Sequence, residues 1–547
     1  MRLKKDSTEQ KLRGAYYTPL RLANAMVNFF APKTIATVLE PSCGDGVFLA
    51  SLEQSALMKN LQSITAVEID AEEAAKVKKV YEHDGRFNIY NEDFFAFYKR
   101  IHDKRQFDLI LGNPPYIRYQ YLTEEQRELQ AEILAAHGMK ANKLINSWVA
   151  FLVACVHLLS DKGKIAFVIP AEVLQVAYAE ELRLFLSKRL QKITVITFKQ
   201  LVFPAIEQEV VVFIGEKGNE EKGIRIIEAT DLTEFEKLDL AENDFQKMQH
   251  NREKWTKYFV NANDLELIQR IRTDKRFARF SDFGLINIGI TTGNNNYFSV
   301  AEETCREYGL GNVTLPLIGR SSHAHGIVFT QEDWDINKAA GKRARLVLFP
   351  DTTDYNDYPQ EHKAYITLGE EQGIKDGYKC SIRDRWYVVP SVWAPDAFFL
   401  RRNNLYPKFV LNRCHAVSTD TMHRIKFKRG VVPENVLLSY YNSISFAFTE
   451  ICGRSYGGGV LEILPGEMGN IMLPKIEQIN KAFRARLLQR IDTIVRSHMD
   501  IEIALDIVDE EILVNLLGID PSWCARCREI WHKLQTRRLG RAGTEQL

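Results

Sequence analysis

The chain lacks the features of a membrane protein and of a disulfide-stabilised scaffold. No apolar run reaches the roughly 20 residues that a membrane-spanning helix needs, and Met1–Gln10 carries no apolar core like that of a secretory signal. Cysteine is sparse, with 8 residues in 547, and the cysteines are too scattered for a disulfide framework. These absences predict a globular protein of the cytoplasm.

The chain also lacks an excess of charge of either sign, since its formal net charge is +1. A near-neutral chain does not by itself indicate a nucleic-acid partner, so any face that binds DNA has to be local. One candidate face is basic and lies near the end of the chain: Arg526, Arg528, Lys533, Arg537, Arg538 and Arg541. A solvated helix end is the competing interpretation.

Signals for a bound metal are weak. Cys524 and Cys527 form one CxxC pair with no second pair nearby, whereas a structural zinc needs four ligands. Asp351, Glu361 and Lys363 superficially resemble the metal motif of a nuclease, but two acids and a lysine at loose spacing are common by chance. We therefore expect two partly buried thiols, no metal and no magnesium-dependent cleavage of DNA.

The length predicts two or three domains. Up to about residue 220, apolar strands alternate with helical stretches, which indicates a mostly parallel α/β sheet. The predicted strands are Thr37–Glu40, Ser63–Ile69, Phe107–Leu111, Lys164–Ile169, Ile193–Phe198 and Val210–Ile214. From about residue 221 the pattern becomes irregular, and it is strongly helical again over Glu477–Leu517. We expect a first domain at 1–220 and an α+β domain with a helical C-terminal part at 221–547.

The turns after the first two strands have the residues of a pocket for an adenosine-containing cofactor. Glu40, Gly44 and Gly46 follow the first strand, where glycine permits a tight turn and a close approach of the ligand. Glu68 ends the second strand, where a carboxylate can accept hydrogen bonds from ribose hydroxyls. Acids at this turn suit a sulfonium cation and disfavour a pyrophosphate.

Two further residues extend this pocket. Asp93 and Phe94 lie about one strand-and-helix repeat beyond Glu68. Asp93 can accept a hydrogen bond from an adenine amino group, and Phe94 can pack on the face of the ring. Because ligands of such sheets bind at the carboxyl ends of the strands, the ordered set predicts one cofactor site.

A rigid pair of acceptors follows the strand Phe107–Leu111. Asn113 offers a side-chain carbonyl and Pro114 a main-chain one, and two consecutive prolines restrict the backbone here. Both acceptors can bind one NH2 group and leave its nitrogen lone pair available for attack on a methyl group. Tyr116 can stack on a planar target, and a base inside a duplex would first have to be flipped out.

These ordered motifs resemble the amino-methyltransferases of bacterial restriction–modification systems, in their gamma arrangement. The resemblance implies a Rossmann-like domain with a mostly parallel seven-stranded sheet, an antiparallel last strand and the cofactor S-adenosylmethionine. Gly14–Pro19 is similar to the motif that holds the methionine part of this cofactor, which gives Thr18 a binding role. The resemblance places Phe203 against the flipped base, opposite Tyr116.

The resemblance also predicts the target and the partners. Asparagine at position 113 favours N6 of adenine over N4 of cytosine in this family. The expected function is site-specific methylation of double-stranded DNA in the bacterial cytoplasm, by a monomer that protects the DNA from a cognate restriction endonuclease. The domain at 221–547 would recognise the DNA target. Three of its segments are similar to recognition domains of this group: Thr292–Asn294, Leu317–Arg320 and Arg454–Gly459.

Other functions remain open at this point. The same acceptor pair serves enzymes that methylate a glutamine amide in a protein, and it does not exclude a single-stranded RNA base. A binding module with a decayed active site is a further alternative, although none of the motifs looks decayed. The long segment after the acceptor motif argues for the recognition of a long polymer.

Overall fold

The computed structural model describes residues 18–31, 33–199, 209–240, 244–248, 253–477 and 479–540. The chain divides into two compact units, Met1–Ala262 and Asn263–Leu547. Among the described residues, no helix is both long and apolar enough to cross a membrane.

The first unit is built on a nine-stranded mixed sheet with the order β3-β2-β1-β4-β5-β7-β6-β8-β9. Its strands β1 to β9 are Thr37–Glu40, Ser63–Glu68, Phe87–Asn91, Phe107–Gly112, Leu159–Pro170, Lys192–Phe198, Val210–Glu216, Gly223–Ala229 and Gln246–Lys247. Strands β1 to β5 pair in parallel. β7 pairs antiparallel with β5 and β6, which confirms the expected antiparallel strand.

Three strands extend the sheet beyond the six that were predicted individually. β3 was missed because its residues mix polar and apolar types, and none of them is fully buried. β8 pairs in parallel with β6 along its whole length, and β9 pairs with β8. The first unit therefore ends near Ala262, and the boundary expected at residue 220 is corrected by this pairing.

Eight helices are described in the first unit. Helices α1 to α8 are Leu20–Asn28, Val47–Glu53, Ala71–Tyr81, Phe94–Ile101, Glu124–Ala136, Ser147–His157, Glu180–Arg189 and Leu232–Phe235. Asp70 and Asp93 cap α3 and α4 by accepting hydrogen bonds from backbone amides of the first turn. The sequence predicts an amphipathic helix over Asn146–Leu159. The helix found there, α6, is instead buried on all sides from Ser147 to Val156, because it is apolar all round.

The second unit has the α+β build with C-terminal helices that the sequence predicts. Its sheets have the orders β10-β23, β11-β20-β16-β18-β14, β12-β15-β13-β19 and β17-β22-β21. Strands β10 to β23 are Phe277–Arg279, Gly284–Ile288, Ser299–Val300, Thr314–Ile318, Val328–Phe329, Arg345–Val347, Ala397–Leu400, Arg402–Asn403, Phe409–Asn412, Val417–Ser418, Met422–Phe427, Arg454–Tyr456, Val460–Glu462 and Met472–Pro474. Helices α9 to α21 are Ala262–Thr273, Phe280–Phe283, Asn295–Phe298, Glu302–Glu307, Gln331–Ala339, Gln360–Glu371, Tyr378–Ser381, Pro433–Leu438, Ser443–Cys452, Pro465–Met468, Lys481–Arg496, Ile501–Val508 and Pro521–Leu539.

Arginines of α21 form ion pairs within the unit, whereas Lys533 of the same helix is exposed. Arg526 pairs with Asp264 at 2.8 Å, and Arg528 lies 3.1 Å from the buried carboxylate of Asp509. Neither the interpretation as a DNA face nor that of a solvated helix end fits these two arginines, because their charges are neutralised within the unit. Arg541 lies outside the described residues.

Arg538 makes the most buried of these contacts. Its side chain is 1% exposed, and Nη2 lies 2.8 Å from Oε1 of Glu450 on α17, whose side chain is 3% exposed. Burial raises the pKa of Glu450, and the ion pair with Arg538 offsets that effect only in part. This pair joins α17 to α21 inside the helical end of the unit.

We predict that Arg538→Met lowers the free energy of unfolding by about 3–5 kcal/mol, because it leaves the Glu450 carboxylate buried without its cation. Denaturant unfolding monitored by circular dichroism measures the change. The double variant Glu450→Gln/Arg538→Met removes both charges and should recover most of the loss. Equal losses in the single and the double variant would contradict this account.

Candidate functional site

The turn after β1 is shaped by two glycines. Gly44 and Gly46 have φ values of 51° and 81°, which side chains rarely adopt. Gly46 also precedes α2, and a Cβ atom at this position would lie 3.3 Å from Cγ2 of Val77. The turn therefore brings backbone amides close to the carboxyl end of the sheet, as the sequence predicts.

Glu68 connects the turn to the end of β2. Its Oε2 accepts a hydrogen bond of 2.8 Å from the Gly44 amide, and its Oε1 accepts one of 2.8 Å from the Asp70 amide. Each carboxylate oxygen can accept a second hydrogen bond. The half-buried Glu68 thus holds the turn in place and keeps acceptor capacity for ligand hydroxyls.

Glu40 is the most unusual acid of the site. It is 1% exposed at the end of β1, and within the described part of the chain its Oε2 has no hydrogen-bond partner. Burial raises the pKa of Glu40 well above its usual range, and the negative charges of Asp45 and Glu68 raise it further. A buried carboxylate oxygen without a partner fits a site that receives a cation or a hydrogen-bond donor.

Asp93 and Phe94 lie where α4 begins. Asp93 uses Oδ1 as a helix cap, accepting from the amides of Phe95 and Ala96 at 2.9 and 3.1 Å. Phe94 is 3% exposed and stacks on Phe151 with ring centroids 4.8 Å apart. Both residues have structural roles here, and their contact with an adenine remains a prediction for Asp93 Oδ2 and for the second face of Phe94.

The loop after β4 is anchored by Ser147, which is 1% exposed at the start of α6. Its hydroxyl donates to the carbonyl of Pro115 at 2.6 Å and accepts from the amide of Ile117 at 3.2 Å. The Ser147 amide donates to the Ile117 carbonyl at 3.0 Å. Sequence reasoning missed Ser147, because its only signal is a position at the start of a buried helix.

The acceptor loop and the turn after β1 are neighbours. The Ser42 hydroxyl donates to the main-chain carbonyl of Asn113 at 3.4 Å. Among the described residues, no group donates a hydrogen bond to the carbonyl of Pro114, although this residue is buried. We call the segment Glu40–Gly46 at the end of β1 the acid-lined turn and the segment Asn113–Tyr116 the acceptor loop. These two segments therefore lie at the same edge of the sheet.

Tyr116 has a contact that the sequence did not suggest. Its hydroxyl lies 2.8 Å from Oδ1 of Asn113 and 3.0 Å from the carbonyl of Val168, so one proton is shared between two acceptors. Tyr116 is 8% exposed. The atom predicted to bind the target amine is thus engaged by Tyr116, and the stacking role of the tyrosine remains a prediction.

Of the two remaining predicted site residues, the structure describes Thr18 and not Phe203. Thr18 is described and 6% exposed, two residues before α1. Phe203 lies outside the described residues, as does the part of the N-terminal motif that precedes Thr18.

Four loops of the second unit meet at one place, and we call them the loop cluster. They are residues 289–296 after β11, 319–323 after β13, 340–344 before β15 and 419–421 between β19 and β20. Two of the three segments that resemble recognition domains fall in or next to this cluster. The third, Arg454–Gly459, comprises β21 and the turn that leads to β22.

Side chains connect the loops directly. Nδ2 of Asn295 donates to Oδ1 of Asp420 at 3.0 Å, and Nη1 of Arg343 donates to Oδ1 of Asn296 at 2.7 Å. The exposed polar side chains of the cluster are Thr291, Asn295, Asn296, Arg320, Ser321, Ser322, Arg343 and Thr421. Amide, guanidinium and hydroxyl groups of this kind form hydrogen bonds with the edges of bases.

The residues considered for metal binding form no such site where the structure is described. No group of three His, Cys, Asp or Glu residues there could hold a metal ion. Lys363 donates to the carbonyl of Asn356 at 2.7 Å. Cys524 and Cys527 are buried thiols, and burial raises the pKa of both; for Cys524 it reaches about 12.

Comparison with protein families gives two matches along the chain. The model described as N-6 DNA Methylase matches residues 3–282, which include the acid-lined turn and the acceptor loop. The model of the C-terminal domain of the Type II methyltransferase M.Eco57I matches residues 252–513. The two matches meet near the boundary between the two units.

Curated relatives and one solved structure agree with these matches. The chain is 24% identical over 486 residues to the Type II methyltransferase M.AccI of Acinetobacter calcoaceticus, covering 85% of this chain and 86% of the relative. It is 30% identical over 223 residues to M.HincII of Haemophilus influenzae, covering 41% of each chain. The Type IIL restriction–modification enzyme MmeI in complex with DNA has a similar fold, with a TM-score of 0.54 at 14% identity over 99% of this chain and 78% of that chain.

We predict that Glu40→Gln stabilises the ligand-free protein near neutral pH. The folded-state pKa of Glu40 is raised, so ionisation destabilises the folded state increasingly as pH rises above the glutamate pKa of about 4.3. The gain in the free energy of unfolding should therefore vanish in acid. Thermal unfolding across pH measures it, with the exposed Glu82→Gln as the control; a variant that is less stable at neutral pH would refute the prediction.

Proposed function

The chain belongs to the N-6 DNA Methylase family, and on that premise we propose that it methylates N6 of a specific adenine in double-stranded DNA. It is the modification enzyme of a restriction–modification system in this proposal, and S-adenosylmethionine is the methyl donor. The similarity to Type II methyltransferases over both units supports this assignment. The family does not favour a protein amide or an RNA base as the target.

One observation carries the proposal: the acceptor loop lies beside an acid-lined turn at the same edge of a parallel sheet. Asn113 and Pro114 follow β4, and Glu40 ends β1, which pairs with β4. The Ser42 hydroxyl connects the two segments. An amine bound by the loop is therefore adjacent to a pocket that suits a cation.

The residues of the turn fit S-adenosylmethionine. The unpartnered oxygen of Glu40 suits the positive part of the cofactor, since a buried carboxylate is stabilised by a cation. Glu68 has acceptor capacity for the ribose hydroxyls, and Asp93 with Phe94 would hold the adenine. Thr18, Gly44 and Gly46 complete the pocket in this proposal. The bound cofactor supplies an activated methyl group.

Asn113 and Pro114 hold the target nitrogen. Oδ1 of Asn113 and the carbonyl of Pro114 accept the two hydrogens of the adenine amino group, which leaves the nitrogen lone pair available. The Tyr116 hydroxyl has to release Oδ1 of Asn113 before that contact forms, and its ring then stacks on the flipped base. Phe203 packs on the opposite face. Ser147 holds the loop rigid throughout.

The second unit recognises the DNA, and we assign base reading to the loop cluster. Its exposed groups are guanidinium, amide and hydroxyl groups, and Asp420, its acidic member, is bonded to Asn295. Arginine and asparagine are the side chains that most often form paired hydrogen bonds with guanine and adenine. A cognate restriction endonuclease acts on the same site, and a single chain is sufficient for the methyl transfer.

We predict that the chain, expressed in cells without adenine methylation, produces N6-methyladenine at one short repeated motif. Sequencing that detects modified bases measures this. Asn113→Ala should abolish the modification while the purified variant binds S-adenosylmethionine with unchanged affinity in calorimetry, because Asn113 contacts the target amine. Unmodified DNA with the wild-type chain, despite cofactor binding, would refute the DNA target.

A second prediction concerns the loop cluster. Arg343→Ala should lower methylation of the cognate oligonucleotide roughly tenfold or relax the motif at one position, since a lost base contact costs about 1–3 kcal/mol. Arg429→Ala is the matched control, because Arg429 is equally exposed but follows the opposite end of β20. Indistinguishable motifs and rates in both variants would remove the loop cluster from base reading.

A further inference from the structure

A second cleft lies in the first unit, away from the acid-lined turn. Its volume is about 400 Å³. The polar side chains that line it are His137, His157, Asp161, Lys188, Arg189, Lys217 and Asn219. They come from the ends of α5, α6 and α7, from the start of β5 and from the segment after β7.

This cleft lies at the amino-terminal end of β5. The Lys217 amide donates to the carbonyl of Gly163 at 2.9 Å, whereas the acceptor loop is at the level of Pro170, where β5 ends. Seven residues of strand from Lys164 to Pro170 span roughly 20 Å. The cleft is therefore separate from the proposed site of methyl transfer.

The charges that line the cleft are unbalanced. Lys188, Arg189 and Lys217 form no salt bridge within the described structure, and Asp161 is the carboxylate among the lining residues. Lys217 is half-buried and donates to the carbonyl of Leu159 at 2.7 Å. Burial lowers its pKa. Three cations around a recess with one carboxylate create a local positive potential in a chain of net charge +1.

Tyr98 connects the two histidines of the cleft. Its hydroxyl lies 2.8 Å from Nε2 of His137 and 2.9 Å from Nδ1 of His157. Burial raises the pKa of Tyr98 to about 12, so the hydroxyl keeps its single proton. It donates to one imidazole and accepts from the other.

This bridge determines how many donors the neutral pair can offer. When both rings are neutral, one of the two outer nitrogens, Nδ1 of His137 and Nε2 of His157, carries a proton and the other does not. A single added proton makes both outer nitrogens donors, and both contacts with Tyr98 survive. Uptake of one proton thus raises the number of N–H donors on the outer nitrogens from one to two.

Burial opposes that protonation most, and nearby cations oppose it further. Burial lowers the pKa of His137 to about 4, with smaller contributions from His157, Arg189 and His102. Burial also lowers the pKa of His157, as do His102, Lys217 and Arg189, while Asp103 raises it. An anion in the cleft reverses the effect of these cations.

We propose that this cleft binds a small phosphate-type oxyanion, held by Lys188, Arg189 and Lys217, and that binding is coupled to uptake of a proton by the pair of histidines. A free anion fits better than the backbone of a duplex. A small anion can enter the recess and reach the two imidazoles and Lys217, which are half-buried, while Lys188 and Arg189 are exposed.

The test is titration calorimetry of the full-length protein with sulfate and with inorganic phosphate, at about pH 6 and about pH 8. Sulfate carries no proton in this range, so buffers with different ionisation enthalpies report the protons that the protein takes up. We expect saturable binding of both ions, tighter binding at the lower pH, and proton uptake with sulfate.

Two paired variants make the test specific. Lys188→Gln/Arg189→Gln should weaken the binding of both ions at least tenfold, since hydrogen bonds to charged groups contribute more than neutral ones. Lys78→Gln/Lys79→Gln removes two exposed lysines of α3 and should leave the binding of both ions unchanged. Methylation of DNA should be normal in both variants, which separates this proposal from the proposed function.

Three outcomes would overturn the proposal. They are the absence of saturable binding to the wild-type protein at millimolar ion concentrations, equal binding by the two paired variants, and binding of a short non-cognate duplex through Lys188 and Arg189 without binding of either ion. Binding of sulfate without proton uptake would refute the role of the two histidines.

Discussion

The parallel pairing of β1 with β2 and β4 is the constraint on which the proposed active site depends. Parallel strands end at the same edge of a sheet, so residues far apart in the chain meet there. Glu40, Glu68 and Asn113 each lie at or just after the end of one of these strands. The hydrogen bond from the Gly44 amide to Glu68 then ties the turn after β1 to the end of β2. If these strands did not end at the same edge, the three residues would lie too far apart to form one site.

Each unit contains a deeply buried glutamate, and the two differ in whether the carboxylate has a partner. In the second unit, the carboxylate of Glu450 is neutralised within the fold by Arg538. In the first unit, the described residues give no partner to Oε2 of Glu40, although Glu40 is as deeply buried. An unpaired buried carboxylate destabilises the folded state. Such a carboxylate is consistent with a ligand that carries the missing cation or donor, and this makes Glu40 informative about function.

The contact between Tyr116 and Asn113 links the fold to the chemistry. The hydrogen bond from the hydroxyl of the buried Tyr116 to the amide oxygen of the half-buried Asn113 stabilises the loop when no base is bound. The same hydrogen bond competes with the target amine for that oxygen. In our proposal, a flipped adenine therefore replaces Tyr116 as the donor to Oδ1 of Asn113 and also supplies a donor to the carbonyl of Pro114.

The sequence by itself determined the alternation of strands and helices, the acid-lined turn and the Asn-Pro-Pro-Tyr motif, because apolar periodicity, glycine and proline act locally. The antiparallel direction of β7 was implied only by the family resemblance. The sequence did not reveal β3, β8 and β9, because polar residues interrupt the apolar ones in β3 and β8 and because β9 has only two residues. It placed the domain boundary too early for that reason. Only the tertiary structure showed that Ser147 anchors the acceptor loop and that Tyr116 contacts Asn113. It alone paired arginines of α21 with acids of the second unit and brought Tyr98 between two histidines. Each of these contacts joins segments whose proximity depends on how the strands and helices pack, and no local pattern encodes that packing.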